Sequence, residues 1–295
     1  MLLSSKPARL AAAALFAKKG RPLRLACVLH SEAVQREEVF RKLLAFAEGL
    51  GFRPSLCVMT PENPYVRAEL GRLGVTELEF AARLLALSKF YDIGLHGHWC
   101  EPREPGAAPA FFKPGRPSYI EEAGFALTLG DPGKVERQFR AEHAWLAAKV
   151  GAPLVYSAGW WFLDAAVLRL LGDCGFAADC SFRHGQPDSF GNEGALRAEA
   201  LPPPGRPFYL PPSGTVLELP SLFYLHLNWW NAVRPALPLL RGDGPMYASF
   251  PLHDYNLLDD GGRTAENIRL LAGFGEVRWH SVPELAALAR EELKK

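Results

Sequence analysis

Tyr91-Asp92-Ile93-Gly94-Leu95-His96-Gly97-His98 is an apolar strand run, Tyr91 to Leu95, that stops on two histidines. Residues two apart in an extended segment point to the same face, so both imidazoles can reach one ion. A pair of histidines capping a sheet through backbone hydrogen bonds is the competing reading of the same segment.

The same pattern recurs on either side. Leu23–Leu29, Arg53–Met59, Pro153–Tyr156, Phe176–Cys180, Thr215–Leu219, Met246–Leu252 and Glu276–His280 read as strands. Between them, Arg36–Leu50, Phe80–Lys89, Leu163–Leu171, Thr264–Ala272 and Pro283–Glu292 carry helical periodicity. Asp131-Pro132 opens a further helix that runs to Val150, with proline in its first turn. Strand–helix alternation of this kind predicts a mainly parallel α/β sheet closed into a distorted (β/α) barrel of seven or eight strands. No repeat, linker or composition shift divides the chain. Residues 1–295 are read as one domain, with 1–20 as an N-terminal extension.

Barrel chemistry sits at the C-terminal ends of the strands. Here those ends carry His30-Ser31-Glu32, His96-Gly97-His98, Ser157 to Trp161, Asp179-Cys180-Ser181, the stretch with His226, and His253-Asp254. Five of the eight histidines fall at such ends. A catalytic zinc takes three protein ligands and keeps one position open. Glu32 supplies the expected third ligand beside His96 and His98. His30 is either a competing ligand or a general base. Trp99, Trp160, Trp161, Trp229 and Trp230 lie near the same ends. They are read either as packing over the barrel rim or as a platform for flat apolar sugar faces.

Composition narrows the classes. The chain has 295 residues and a formal net charge of +1, with Lys and Arg dispersed, which excludes an electrostatic nucleic-acid binder. With 48% hydrophobic residues a large core is available. The five cysteines include no CxxC pair, so no disulfide framework is expected and a cytoplasmic location is read. The apolar run Leu10–Ala17, flanked by Lys6, Arg9, Lys18 and Lys19, reads as an amphipathic helix; export or membrane attachment through residues 1–20 is the alternative.

Taken in order, these segments resemble the polysaccharide deacetylase superfamily (carbohydrate esterase family 4, the NodB homology domain) over roughly residues 23–290. Asp92 to His98 is similar to its "EIGxHGxxH" motif. Ala158-Gly159-Trp160, through Leu168 to Gly175-Phe176 and Asp179-Cys180-Ser181, resembles "RxPGW…LxxLGFxYDSS". Val216 to Pro220 looks like "LxExP", Leu252-His253-Asp254 like "LHP", and Glu276 to Leu285 like "VxFxTLxEL".

The resemblance implies hydrolytic removal of acetyl groups from N- or O-acetylated sugars. It implies a divalent metal, usually zinc, held by a carboxylate and two histidines. A carboxylate base and a histidine acid complete the family's site. On this chain the metal ligands become Glu32, His96 and His98, the acid His253 and the replacement base His30. Gly159 and Trp160 fall where backbone N–H groups would hold the oxyanion. Trp99, Trp161 and Trp229 join them as substrate contacts.

The departures are local. The first motif, "TFDDG", is Val28-Leu29-His30-Ser31-Glu32, which is closer to branches reading "DxE". The family's second metal histidine aligns with Cys100, whereas His96-Gly97-His98-Trp99 looks like branches reading "HxHxW". Tyr156 replaces the arginine. A catalytically silent barrel that binds glycan or a partner is the alternative these changes leave open.

Overall fold

The computed structural model describes residues 22–104, 119–127, 131–182, 205–211, 213–221, 245–258, 264–265, 268–269 and 277–295. In chain order the elements are β1 (Leu23–Ser31), α1 (Glu37–Glu48), β2 (Ser55–Val58), α2 (Pro64–Leu73), α3 (Glu77–Leu87), β3 (Asp92–Gly97) and β4 (Cys100–Pro102). Then come α4 (Tyr119–Glu122), β5 (Phe125–Leu127), α5 (Pro132–Lys149), β6 (Val155–Ala158), α6 (Ala165–Asp173) and β7 (Ala178–Asp179). The last described elements are β8 (Phe208–Tyr209), β9 (Leu217–Glu218), β10 (Met246–His253), β11 (Val277–His280) and α7 (Val282–Leu293).

β1 organises the sheet. It is buried on both faces except at Arg24, as expected of a strand inside a parallel sheet. One edge pairs with β10 along its length. The other pairs with β11 at its start and β2 at its end. From β2 the sheet continues in parallel through β3, β6, β7 and β9, with β8 antiparallel at the far side. Just beyond β9, Ser221 bridges to Ser249 of β10, and Ser249 N donates to Pro220 O at 3.1 Å. The two ends of the path therefore meet, and the sheet curls into the expected (β/α) barrel.

The period of two sorts the strand residues into layers. Ala26, Val28, Cys57, Val155, Ala178, Leu217 and Tyr247 form one apolar cluster with Val282, Leu285, Ala286 and Ala289 of α7. The opposite faces, including Leu25, Leu29, Leu95 and Tyr156, pack against Val39, Leu84, Phe139 and Leu168 of the surrounding helices. Continuing the face of Ala26 and Val28 by two residues reaches His30. The same step takes Val155 to Ser157.

Caps fix where the helices start. Thr76 and Ser281 each close a capping box, and Asn63 and Asp131 each accept from a first-turn N–H with proline following. The α2 helix is absent from the reading of the sequence, although Asn63-Pro64 carries its start signal. The reading of the sequence has no strand at β4, which pairs with β5. The expected helix 264–272 falls mostly outside the described residues, as do residues 1–20. All five cysteines are free. Among the described residues no helix is long and apolar enough to cross a membrane.

Glu69 of α2 is buried to 3% exposure and held by Arg36 at 3.1 Å and Arg72 at 2.7 Å. The Arg72 hydrogen bond leads in holding its carboxyl below the usual range. A depressed folded pKa stabilises above the unfolded pKa and loses that contribution as pH falls through the folded value. Glu69→Gln is therefore expected to lower urea-unfolding stability at pH 7, with the difference from wild type shrinking as pH falls below the ordinary carboxylate range.

Candidate metal centre

Parallel register brings the strand-end residues together. His30 of β1 lies opposite His253 of β10, and His96 of β3 opposite Ser157 of β6. The His30 and His96 rings stack at 4.7 Å between centroids. His96 and His98 meet edge-on at 4.6 Å, and His30 and His253 at 4.9 Å. Glu32, one residue past β1, brings Oε1 to 3.2 Å from His98 Nε2. Ligand atoms of Glu32, His96 and His98 all lie within 4.8 Å of one another, and all three side chains are buried.

Burial sets the charges. Desolvation holds His96 and His98 down to about 3, and His30 and His253 well below the ordinary histidine range. The four rings are therefore neutral at physiological pH. Desolvation also pushes the Glu32 carboxyl up to about 7. The 3.2 Å contact thus joins a carboxyl to a neutral ring and is no ion pair.

Some of these polar atoms have no hydrogen-bond partner: Glu32 Oε2, His96 Nε2, both nitrogens of His98, and His253 Nδ1. Unpaired buried polar atoms are costly. Neutral imidazole nitrogens and a carboxylate converging in this way match the donor set of zinc. His96 has the orienting bond typical of a metal-bound imidazole, Nδ1 to Ser157 O at 2.8 Å, which directs Nε2 inward.

Asp254 supports the carboxylate rather than a histidine. Its Oδ2 accepts from Ser31 Oγ at 2.8 Å, Glu32 N at 3.0 Å and Ala33 N at 3.1 Å. Ser31, where the family places an aspartate, is thus a donor that fastens the Glu32 loop across to β10.

The turn after β6 forms another wall. Its Gly159 leaves no room for a side chain, since a methyl there would overlap the His98 ring. At Trp161 φ is +59°, a conformation rare for a bulky residue that costs on the order of 1–3 kcal/mol and clusters at functional sites. This places the Trp161 ring 5.9 Å from His30. His30 Nε2 lies 2.7 Å from Ser157 Oγ.

Trp99 departs from the expected sugar platform. It is 1% exposed and packs on Phe139 at 5.4 Å, so its large apolar surface serves the core. Trp229 and the Trp160 side chain lie outside the described residues. Cys100 stays out of the cluster; its Sγ donates to His98 O. Tyr156 is buried between Phe139 and Phe176. Behind the wall, Asp179 and Glu218 form a buried carboxyl pair. Asp179 accepts from Ser181 Oγ, and Glu218 accepts from Phe182 N at 3.1 Å.

Neither family models nor curated sequences match this chain. Solved structures do. One described as a polysaccharide deacetylase from Mycobacterium smegmatis is similar with a TM-score of 0.56 and 13% identity, covering 93% of this chain and 92% of that one. The chain has the polysaccharide-deacetylase-like barrel fold. A 4-alpha-glucanotransferase from Thermococcus litoralis is similar at a TM-score of 0.51 and 12% identity, over 90% of this chain and 40% of that one. Barrels of this type therefore host different chemistries, and the deacetylase-like fold leaves the reaction to the site residues.

Two substitutions test this geometry. Gly159→Ala is expected to displace the His98 ring and weaken zinc binding at least tenfold in a chelator competition, as loss of ligand orientation does. Burial and the Asp179 charge raise the Glu218 carboxyl well above its ordinary range. A raised pKa stabilises at low pH and loses that contribution as pH rises. Glu218→Gln keeps a donor toward Asp179. Its denaturant midpoint is expected to rise relative to wild type as pH is increased.

Proposed function

We propose that this chain is a metal-dependent hydrolase that removes acetyl groups from N- or O-acetylated sugars of a polysaccharide or its precursor. The observation that carries this reading is the convergence of unpartnered, buried ligand atoms of Glu32, His96 and His98 at one point. These three residues would hold a divalent ion, with zinc best suited to two imidazoles and a carboxylate. When bound, such an ion supplies Lewis acidity toward the acetyl carbonyl and makes water a nucleophile near pH 7.

The other residues handle protons and position substrate. His30, neutral and fixed by Ser157, accepts the proton of the attacking water. His253 Nδ1 is unpartnered, and the residue is half-buried at the edge of the cluster. Neutral at rest, it would receive the proton that His30 takes from the water and hand it on to the departing amine or alcohol. Backbone N–H groups of the turn at Gly159 and Trp160 stabilise the oxyanion, and Trp161 offers a ring face to the sugar. The deacetylase-like fold supports the substrate class, and the five free cysteines support a reducing compartment.

Glycosyl transfer, the chemistry of the glucanotransferase with a similar fold, requires two carboxyls facing each other across the scissile bond, roughly 5–9.5 Å apart. Glu218, the partner available to Glu32, is fully buried and engaged with Asp179, which favours the deacetylase reading.

Purified protein is expected to bind close to one zinc per chain and to release acetate from acetylated chito-oligosaccharides. His96→Ala is expected to abolish both. His253→Ala is expected to keep the metal and lose about 10²–10⁴ in rate. Glycan binding without acetate release in the zinc-loaded wild type would instead identify a silent barrel.

A further inference from the structure

Another buried carboxylate lies outside the candidate centre and carries no part of the proposed reaction. Glu142 of α5 is completely buried and has no cationic partner among the described ion pairs. Its Oε2 accepts from Thr60 N at 3.0 Å and Thr60 Oγ1 at 3.4 Å. Its Oε1 accepts from Asn63 Nδ2 at 3.2 Å and Gln138 Nε2 at 3.0 Å. Burial pushes its carboxyl up to about 7 against the pull of these donors.

The two amides that meet at Oε1 also meet a second time. Asn63 Nδ2 donates to His98 O at 2.7 Å, and Gln138 Nε2 donates to the same oxygen at 3.1 Å. Each NH₂ group has two protons and spends one on Glu142 and one on His98. The amide oxygens are occupied as well. Asn63 Oδ1 accepts from Tyr65 N at 3.1 Å, and Gln138 Oε1 accepts from Cys100 N at 3.2 Å. Neither amide can flip without placing an oxygen against two acceptors.

From this geometry we infer that Glu142 is a positioning residue for the metal centre. It orients Asn63 and Gln138 so that both grip the main chain of His98 from behind. The inference rests on the reading of His98 as a ligand. It links the loop before α2, helix α5 and the turn between β3 and β4 to one carbonyl. The His98 ring is confined on its other side by Gly159. With its carbonyl held from behind and its ring walled in, His98 has one orientation, and that orientation presents its free nitrogens to the centre. Replacing one Glu142 oxygen by an NH₂ group sets that group against donors on one side or the other, and the grip is lost.

The test uses cobalt(II) as the probe, bound to the full chain and titrated against a chelator, with the cobalt absorption bands recorded. Glu142→Gln is expected to weaken cobalt binding by about 10–100-fold and to shift the bands, as loss of ligand support does. Gln138→Ala, at a partly exposed helix position, is expected to weaken binding in the same direction and decides the matter if Glu142→Gln does not fold. The double variant is expected to be no weaker than Glu142→Gln alone, since residues in one network are not additive. Variants that unfold more easily without cobalt, yet bind it with wild-type affinity and wild-type bands, would overturn the inference and leave the metal reading standing. A wild type that takes up no cobalt would overturn the metal reading, and the inference with it.

Discussion

The site depends on desolvation. Three histidines and a glutamate are carried to the ends of neighbouring strands and buried together, with His253 half-buried beside them. Burial holds every ring neutral and drives the carboxyl toward protonation. In isolation such a cluster is costly, because its inward nitrogens have nothing to bond. A dication reverses that balance, since neutral imidazoles and a carboxylate are the forms that ligate. Much of the surrounding structure holds these groups in place. Ser157 orients His30 and His96, Asp254 fastens the Glu32 loop, and Gly159 leaves room for His98.

The altered first motif makes sense in these terms. A branch with two aspartates would place both a base and a ligand on β1. Here Ser31 is a donor to Asp254, while Glu32, one residue further, reaches the cluster. His30 occupies the inner face in line with Ala26 and Val28, where its ring stacks on His96. Ser31 thus supports the Glu32 loop through Asp254.

Much of this was legible in the sequence because it depends on local periodicity. Apolar runs of strand length ending in polar residues gave the parallel sheet, and the spacing of His96 and His98 gave a shared face. What was not legible depends on contacts far apart in the chain. Asp254 and Ser31 are 223 residues apart, and nothing local says that an aspartate after a histidine will cap a loop on the neighbouring strand. Glu142 reads as an ordinary polar residue of an amphipathic helix; only packing reveals that Thr60, Asn63 and Gln138 surround it. Trp99 was misplaced for a related reason. Its neighbours are site residues, but the next position along an extended chain faces the other way, toward Phe139.

The most direct test of the central claim is X-ray absorption of the zinc-loaded protein at the zinc edge. The account predicts nitrogen and oxygen scatterers at about 2.0–2.2 Å, imidazole multiple scattering corresponding to two histidines, and no sulfur. A sulfur shell near about 2.3 Å would place Cys100 in the site and contradict the assignment of Glu32, His96 and His98.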